Sequence, residues 1–380
     1  MARDPVILML AGEPSGDLHG AALARSLLEK WPSARLLGLG GERMAAEGVE
    51  CMAGLDRLAV MGFAEVVRHL GFFRRLMGRV RAAMHRHGVN LVIPIDYPGF
   101  NLRVAKYARE VGIRVLYYIA PQVWAWRPAR ARRLARDTDH VAVILPFEAG
   151  FLRKAGARAT FVGHPLLELE HEVPARADFC RAHGLDAHRP LLALFPGSRR
   201  QELDRHLEVF LGAAHRLERA RPQLQVVVAR APGLPARAYS EVTATVVDDG
   251  RSLLRHARAA LVKSGTSTVE AALAGVPFAT AYRTHPLTFA LARHLVRVDH
   301  IALANLIAGR RVVPELIQHQ ATPARLEGEL LPLVDDTEER RAVVAGLGEI
   351  RRALGSAGAA RRVAAIAESL LFPSPKAAAG

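Results

Sequence analysis

The sequence predicts an α/β protein built from two Rossmann-like, doubly wound domains. Three observations lead to this prediction: short apolar segments alternate with helical patterns, glycine-containing loops follow several of these segments, and the alternation stops near residue 171 and then restarts. Repeated strand–helix units form parallel sheets covered by helices on both faces. A chain of 380 residues is long enough for two cores of ordinary size.

The apolar runs predict strands in both halves, at 6–11, 34–39, 91–95, 115–119, 141–145, 191–195, 225–229, 243–247 and 259–262. Helical patterns lie between them, and from residue 322 onward the chain reads as helix. We therefore predict an N-terminal domain at 1–170, a C-terminal domain at 171–345, and C-terminal helices with a frayed tail at 346–380. The sequence leaves open whether those last helices pack back on their own N-terminal domain or on that of a partner.

The charge balance favours a polyanionic partner. The chain has 52 Lys and Arg against 37 Asp and Glu, a net charge of +15, which suits nucleic acid, an acidic membrane surface or a phosphorylated substrate. Two cysteines, Cys51 and Cys180, are too few for a disulfide framework or a metal cluster, so we expect reduced residues of a cytosolic protein. The apolar run from Val6 to Ala11 is too short for a signal sequence or a membrane span, so any membrane contact would be peripheral.

The segment Leu261–Pro277 has the pattern of a buried strand that turns through glycine into a helix. Such a turn points unpaired amides and the positive end of the helix dipole at the space beyond the strand, which makes Ser264, Gly265 and Thr266 candidates for binding an anion. Glu270 lies about one helical turn further, where it could accept hydrogen bonds from a ribose diol. The alternative is that Thr266 or Ser267 caps the helix and Glu270 closes a capping box.

A second loop of this kind, Phe195–Glu202, opens the C-terminal domain. Arg199 at a helix N-terminus could clamp a diphosphate with its planar guanidinium, and the alternative is an exposed arginine paired with Glu202. Two such loops, one with arginine and one with glutamate, favour nucleotide binding. Neither the P-loop pattern nor the Gly-x-Gly-x-x-Gly fingerprint is present.

Acidic side chains follow two strands of the N-terminal domain. Asp96 ends an apolar run before Tyr-Pro-Gly and is a candidate general base, with a turn-initiating aspartate as the alternative. Glu13 and Asp17 flank Ser15 on the loop after the first strand and raise the same question; Ser15 does not stand in a nucleophile elbow. We predict no metal site, because Asp137-Thr138-Asp139 precedes its strand and His85 and His87 would face different directions on a helix.

The segment Gly62–His87 is amphipathic, basic and aromatic. It could lie in an anionic membrane interface, or its apolar side could be a core face and its arginines a solvated face. The segment itself does not decide between these interpretations.

Nine blocks of the chain, taken together and in order, closely resemble the lipid-A-disaccharide synthase family. They are AGEPSGDLHG, MGFAEV, IDYPGFN, YYIAPQVWAWR, LPFE, VGHPL, PGSRRQE, SGTSTVE and NLIAGRRVVPELIQ, and they extend from residue 6 to about residue 320. The resemblance implies the GT-B glycosyltransferase fold, in which two α/β domains face each other across a cleft. Pro14 and Ala304 depart from residues commoner in the family, and neither change removes a functional group.

The resemblance also implies a reaction: 2,3-diacylglucosamine is transferred from its UDP conjugate to 2,3-diacylglucosamine 1-phosphate, with inversion, giving a β(1→6) disaccharide and UDP. By motif, Asp96 corresponds to the proposed base, and Glu13 and Ser15 to further residues of the catalytic cleft. Arg199, Ser264, Gly265, Thr266 and Glu270 would hold UDP, and the donor site would be completed by Asn305, Glu315 and Gln318. No cofactor or metal is expected, because the UDP-sugar is a substrate and amides with Arg can stabilise the departing diphosphate.

Diacylated substrates change the interpretation of the basic segment. Phe63–Arg86 is then expected to face an anionic membrane near the acceptor, so that the net charge needs no nucleic acid partner. We expect a cytoplasmic protein, peripheral on the inner membrane, and the sequence allows an oligomer. The rival functions are another GT-B enzyme, such as a UDP-sugar 2-epimerase or the lipid II transferase, and a non-catalytic basic nucleotide-binding or nucleic-acid-binding protein.

Overall fold

The computed structural model describes residues 4–54, 70–126, 129–168, 173–286, 289–290 and 299–373. It divides into two compact units, the first formed by Met1–Glu168 with Gly355–Gly380 and the second by Leu169–Leu354. The first boundary lies two residues before the predicted one. The second lies nine residues after the predicted position at 345, because Gly346, Leu347 and Ile350 of the preceding helix are buried in the second unit.

Within the described residues the first unit contains a seven-stranded parallel sheet in the order β3-β2-β1-β4-β5-β6-β7. Its strands are β1 (Val6–Ala11), β2 (Arg35–Leu39), β3 (Glu50–Ala53), β4 (Leu91–Ile95), β5 (Arg114–Tyr118), β6 (His140–Val143) and β7 (Ala159–Phe161). The central strands are buried on both faces, which is why they read as continuous apolar runs.

The second unit repeats this architecture with a six-stranded parallel sheet in its described part, in the order β10-β9-β8-β11-β12-β13. Its strands are β8 (Leu191–Phe195), β9 (Gln225–Ala229), β10 (Thr245–Val247), β11 (Ala257–Lys263), β12 (Phe278–Tyr282) and β13 (Glu315–Ile317). The six strands of the second sheet follow the same order as the first six of the first sheet. In each sheet the strand order reverses at the first strand of the unit, which is β1 in the first and β8 in the second.

The α-helices with described bounds are α1 (Pro14–Lys30), α2 (Glu42–Ala46), α3 (Leu70–Arg86), α4 (Pro98–Glu110), α5 (Val123–Trp126), α6 (Ala129–Asp137), α7 (Pro146–Lys154), α8 (Arg176–Ala182), α9 (Arg200–Ala220), α10 (Gly250–His256), α11 (Thr266–Ala274), α12 (Leu303–Ala308), α13 (Pro323–Val334), α14 (Glu338–Ala353) and α15 (Ala359–Leu371). None of the described helices is both long and apolar enough to cross a membrane.

The C-terminal helix α15 packs within the first unit of its own chain. Val363 and Ala367 are fully buried in the core that also contains Leu23 and Leu27 of α1. Arg362 Nε donates a 2.7 Å hydrogen bond to the carbonyl of Val162, and the Ala360 amide donates one to Glu168. Within this single chain, α15 thus returns to the N-terminal unit; packing on a partner's N-terminal unit stays an open alternative.

Helix α3 shows that the apolar side of the basic segment is a core face in its described part. Leu76, Val80 and Met84 are buried, and Phe72 and Phe73 pack partly buried against the same cluster. The rings of Phe73 and Phe100 lie 6.1 Å apart. Phe72 and Phe73 are thus each partly buried and partly exposed, and the membrane contact of this segment stays a prediction. Residues 63–69 of the predicted membrane face lie outside the described residues.

The two points where strand order reverses fix where ligands can bind. Ligands of doubly wound sheets bind beyond the carboxyl ends of the strands at such points. In the first unit β1 and β4 are neighbours, with Ala11 beside Ile95, and in the second β8 and β11 are neighbours, with Phe195 beside Val262. The loops that follow these four strands, together with the helices that begin from them, contain most of the predicted site residues.

Candidate active site

Asp96 directly follows β4, and its backbone adopts a conformation that few residues enter. Asp96 and Tyr97 have φ of 47° and 48°, in the left-handed region that costs non-glycine residues about 1 kcal/mol or more each. Asn101 Nδ2 and Tyr117 Oη each donate a 2.8 Å hydrogen bond to the Asp96 carbonyl. These bonds hold the strained backbone from which the partly exposed Asp96 side chain extends.

The loop after β1 lies against the loop after β4. A Cβ on Gly12 would lie 2.3 Å from ring atoms of Tyr97, so the contact between the two loops requires glycine. Burial, with a smaller contribution from Glu13, raises the pKa of the Tyr97 hydroxyl. The first sheet therefore brings together at one rim the loops of Glu13 and Asp96, both predicted as catalytic residues.

Ser15 and Asp17 have different surroundings in the first two turns of α1. Ser15 is exposed. Within the described residues, no side chain contacts the Ser15 hydroxyl as a general base contacts a nucleophile. Asp17 is buried, and its carboxylate accepts hydrogen bonds from the amides of Gly41 at 2.6 Å and Met44 at 3.1 Å. Asp17 therefore caps α2 and is corrected from a catalytic candidate to a structural residue.

Glu148, which lies in the block LPFE, is a further candidate that the sequence did not predict. Only 2% of Glu148 is exposed. Its Oε1 accepts a 3.0 Å hydrogen bond from the indole of Trp124, and its Oε2 accepts one of 3.1 Å from the Leu145 amide. Burial, assisted by the charge of Asp96, raises the pKa of Glu148 to about 7. From the sequence alone Glu148 has the pattern of a helix-capping residue, and it does bond the N-cap amide of α7.

In the second unit, a glycine of unusual conformation stands in each of the two predicted anion loops. Gly197 has φ of 134° and Gly265 has φ of 152°. Gly265 is the N-cap of α11 and no side chain caps this helix. The alternative in which Thr266 or Ser267 forms a capping box with Glu270 is therefore wrong, because the helix already begins at Thr266.

An ion pair between Lys263 and Glu202, which the sequence did not predict, joins these two loops. Lys263 Nζ lies 2.7 Å from Glu202 Oε1, and Glu202 Oε2 accepts a 2.9 Å hydrogen bond from the Ser198 amide. Burial alone would raise the pKa of Glu202, but Lys263, the Ser198 amide and Arg199 together hold it below its usual value. No motif pairs residues 61 positions apart, so only the adjacency of β8 and β11 could reveal this contact.

His206 extends the same network to the loop after β12. Its Nε2 accepts a 2.9 Å hydrogen bond from the Arg283 amide, and its Nδ1 lies 2.7 Å from the Glu202 carbonyl. Because Nε2 accepts, Nδ1 must bear the proton. Burial lowers the pKa of His206, which favours this neutral form.

Arg199 and Glu270, the predicted UDP ligands, lie at the same end of the second sheet. Arg199 is the exposed N-cap residue of α9. Glu270 is partly exposed, and its Oε1 lies 3.8 Å from Arg251 Nε. Burial raises the pKa of Glu270, and Arg251 opposes this shift. The ribose role of Glu270 and the diphosphate role of Arg199 stay predictions.

The other predicted donor-site residues mostly hold loops in place. Ser264 donates from its amide to the Ala281 carbonyl and from its hydroxyl to that of Ile301. Because both of its donors are engaged inside the unit, the predicted phosphate contacts fall to the amides of Gly265 and Thr266. Gln318 exchanges two hydrogen bonds with the backbone of Thr284, at 2.9 and 3.2 Å.

Asn305 and Glu315 form a buried pair that supports α12. Asn305 is fully buried and donates a 2.6 Å hydrogen bond to Glu315, while its Oδ1 accepts from the amides of Val312 and Val313. Glu315 also accepts from the amides of Ile301 and Ala302, where α12 begins. The structure gives Asn305 this supporting role, and its part in completing the donor site stays a prediction.

Among the described residues, no group of three or more His, Cys, Asp and Glu side chains could hold a metal ion. Asp139, one of the residues dismissed as a metal ligand, accepts a hydrogen bond from the Val115 amide and pairs with Arg109 and Arg114. It therefore stabilises the turn before β6. The absence of a required metal stays a prediction.

The chain matches the protein family described as lipid-A-disaccharide synthetase over residues 7–367. It is 40% identical over 381 residues to the lipid-A-disaccharide synthase of Trichlorobacter lovleyi, covering 98% of this chain and 100% of that protein. It is 41% identical over 390 residues to the enzyme of the same name from Acidobacterium capsulatum, covering 98% of each. The chain belongs to the lipid-A-disaccharide synthase family. It is accordingly a hexosyltransferase, and its substrates are a UDP-sugar and a lipid-linked sugar.

Solved structures with the same fold include glycosyltransferases and epimerases. The calicheamicin glycosyltransferase CalG4 superposes with a TM-score of 0.63 at 21% identity, covering 98% of this chain and 100% of that one. A UDP-GlcNAc 2-epimerase from Neisseria meningitidis superposes with a TM-score of 0.59 at 11% identity, covering 97% and 100%. These likenesses confirm the predicted α/β fold of the GT-B class. The family membership, and not the fold, separates this synthase from the epimerases.

Proposed function

We propose that this synthase transfers 2,3-diacylglucosamine from its UDP conjugate to the 6-hydroxyl of 2,3-diacylglucosamine 1-phosphate, with inversion. The observation that carries the proposal is that the family's acidic blocks follow β1 and β4, and its glycine blocks follow β8 and β11. Each pair of strands marks the point of its sheet where ligands bind. One unit thus supplies carboxylates and the other supplies helix amides with positive charge.

In this proposal Asp96 accepts the proton of the acceptor 6-hydroxyl as O6 attacks the anomeric carbon of the donor. The bond from that carbon to the phosphate oxygen breaks, and UDP departs with the bonding electrons. A carboxylate on a backbone fixed by Asn101 and Tyr117 needs little reorganisation to act as a base. Arg199, with the amides of Gly265 and Thr266, stabilises the charge that develops on the diphosphate.

A transfer assay tests the proposal. The purified full chain is incubated with UDP-2,3-diacylglucosamine and 2,3-diacylglucosamine 1-phosphate in the presence of a chelator, and the products are separated by mass and stereochemistry. We expect a β(1→6) disaccharide 1-phosphate and UDP in equal amounts. A donor that is epimerised at C2, or a donor that is bound and left unchanged, would replace the proposal with one of its rivals.

The exposed arginines of α3 support peripheral attachment to the cytoplasmic face of an anionic membrane. Arg74, Arg75, Arg81 and Arg86 are exposed on the helix whose Leu76, Val80 and Met84 are buried. Basic residues near an anionic surface contribute about 1 kcal/mol each to membrane attraction. A membrane contact made by these arginines is electrostatic, and it does not require Phe72 or Phe73 to enter the bilayer.

Vesicle co-sedimentation tests the membrane contact. We expect the chain to bind vesicles of phosphatidylcholine with phosphatidylglycerol, and the double variant Arg74→Glu, Arg86→Glu to bind them more weakly. The matched control changes two exposed arginines of the second unit, Arg200→Glu and Arg219→Glu. Equal binding by the two double variants would show that α3 is not the membrane face.

A further inference from the structure

The ion pair between Lys263 and Glu202 lies between the two glycine loops of the second unit. The side chains of Lys263 and Glu202 are only 16% and 18% exposed, and their charged atoms are 2.7 Å apart. Taking two charges out of water costs free energy that such a pair regains only in part. Stability alone is therefore a weak reason for placing this pair at the end of two buried strands.

The ammonium group reaches both loops. Lys263 Nζ lies 3.5 Å from the point where a Cβ on Gly265 would stand, at the N-terminus of α11. Glu202, the partner of Lys263, contacts the other loop: it accepts a hydrogen bond from the Ser198 amide. It also packs against Gly197, where an added Cβ would lie 2.5 Å from Glu202 Cβ. Lys263 Nζ also lies 5.7 Å from the centre of the Tyr282 ring, at the end of the next strand.

The loop around Ser198 is already occupied by an oxyanion in this structure, namely the carboxylate of Glu202. That carboxylate accepts from the Ser198 amide through one oxygen and pairs with Lys263 through the other. The arrangement shows that amide and ammonium groups converge on a single anion between the loops. A diphosphate, which bears negative charge on both phosphates, presents the same acceptor chemistry in a larger form.

We propose that Lys263 is a ligand of the donor's diphosphate, and that Glu202 is the counter-ion that holds its ammonium between the loops before the donor binds. This inference rests on the proposed function, because it takes UDP to be the ligand of both loops. When the donor binds, the ammonium is shared between Glu202 and a phosphate oxygen. Lys263 then adds a second positive charge to that of Arg199 at the leaving group. The competing explanation is that Lys263 only ties β11 to α9.

Calorimetric titration of the full chain with UDP and with uridine separates these explanations, because uridine lacks the phosphates. In Lys263→Met, which keeps the apolar stem of the side chain, we expect UDP affinity to fall by about ten- to one-hundred-fold, the scale of one charge-assisted hydrogen bond. Uridine affinity should change less than about twofold on the same argument. Lys263→Arg should recover most of the loss, because it restores the charge.

The matched control is Lys106→Met, which removes a lysine from the surface pair of Lys106 with Glu110 in the first unit and should leave both affinities unchanged. Thermal unfolding reports whether each variant is folded. If Lys263→Met does not fold, the same titrations are made with Lys263→Gln. Unchanged UDP affinity, or equal losses for UDP and uridine, would overturn the role of Lys263 and leave the proposed function intact. Failure of the unaltered chain to bind UDP would overturn both.

Discussion

The two units have the same strand order but opposite chemistry at the corresponding loops. At the reversal point of the first sheet, the loops after β1 and β4 contain the carboxylates of Glu13 and Asp96, and Glu148 of α7 is buried beside Trp124. At the reversal point of the second sheet, the loops after β8 and β11 contain left-handed-region glycines; the cations there are Arg199 and Lys263, the last residue of β11.

Topology therefore determines where a site lies, and the residues of the loops determine its chemistry. In each sheet, taken by itself, the carboxyl ends of the strands and the N-termini of the helices that follow them lie at one rim. In the loops after β1 and β4 the strained backbone belongs to Asp96 and Tyr97, and hydrogen bonds from side chains hold it. In the loops after β8 and β11 the unusual conformations belong to Gly197 and Gly265, which adopt them at little cost. A base needs a fixed side chain, whereas a phosphate needs close access to amides.

The largest expected effect comes from removing the base of the first unit without disturbing its backbone. We expect Asp96→Asn to lower the rate of transfer by about a thousandfold or more, since general base catalysis contributes 10²–10⁴-fold. Asparagine tolerates the left-handed conformation that alanine would strain, so this substitution isolates the carboxylate. UDP affinity, measured by calorimetry, should stay within about twofold, because the UDP loops belong to the other unit. Near-normal turnover would show that Asp96 is not the base.

A second prediction concerns the buried Glu148, which has no counterpart in the chemistry of the second unit. Its native pKa of about 7 lies above the usual value near 4.3 for an unfolded chain. Between these values the unfolded state releases the proton that the native state keeps, so stability falls as pH rises. We expect a loss of about 3 kcal/mol in the free energy of unfolding between pH 4.5 and pH 7.5 from this group.

Denaturant unfolding across that pH range, in the unaltered chain and in Glu148→Gln, measures the effect. The glutamine places an amide against one of the two N–H donors, so the variant should be less stable overall while its pH slope is flatter. The control is Glu110→Gln, an exposed residue of α4. If the slope in Glu148→Gln equals that of the unaltered chain, Glu148 does not titrate in this range.

A third and smaller effect concerns the diphosphate clamp of the second unit. We expect Arg199→Ala to weaken UDP binding by about 1.5 to 3 kcal/mol, as for one charge-assisted hydrogen bond. The adjacent Arg200 pairs with Asp204 on the surface of α9, so Arg200→Ala is a matched control that should change the affinity little. Calorimetry with UDP measures both. If the two variants bind UDP equally well, the guanidinium of Arg199 does not contact the diphosphate.

Some features of the fold were accessible from sequence because they depend on local pattern. The strands β1, β4 and β8 are continuous apolar runs, and β11 contains one at 259–262, since parallel strands are buried on both faces. The short strands β3, β7, β12 and β13 were not predicted. Strands of three to five residues with mixed burial, such as Glu50–Ala53 and Ala159–Phe161, give too little periodicity to separate them from loops.

The candidate site divides in the same way. The sequence by itself determined the family, the fold class and the loops that contain Asp96, Arg199 and Gly265, because these depend on residues close together in the chain. Only the tertiary structure decided that Asp17 caps a helix, that Asn305 is buried, that Glu148 stands beside Trp124, and that Lys263 meets Glu202. These contacts join residues from 10 to 61 positions apart. They form only when the chain folds and brings these distant segments together, and burial then raises the pKa of Glu148.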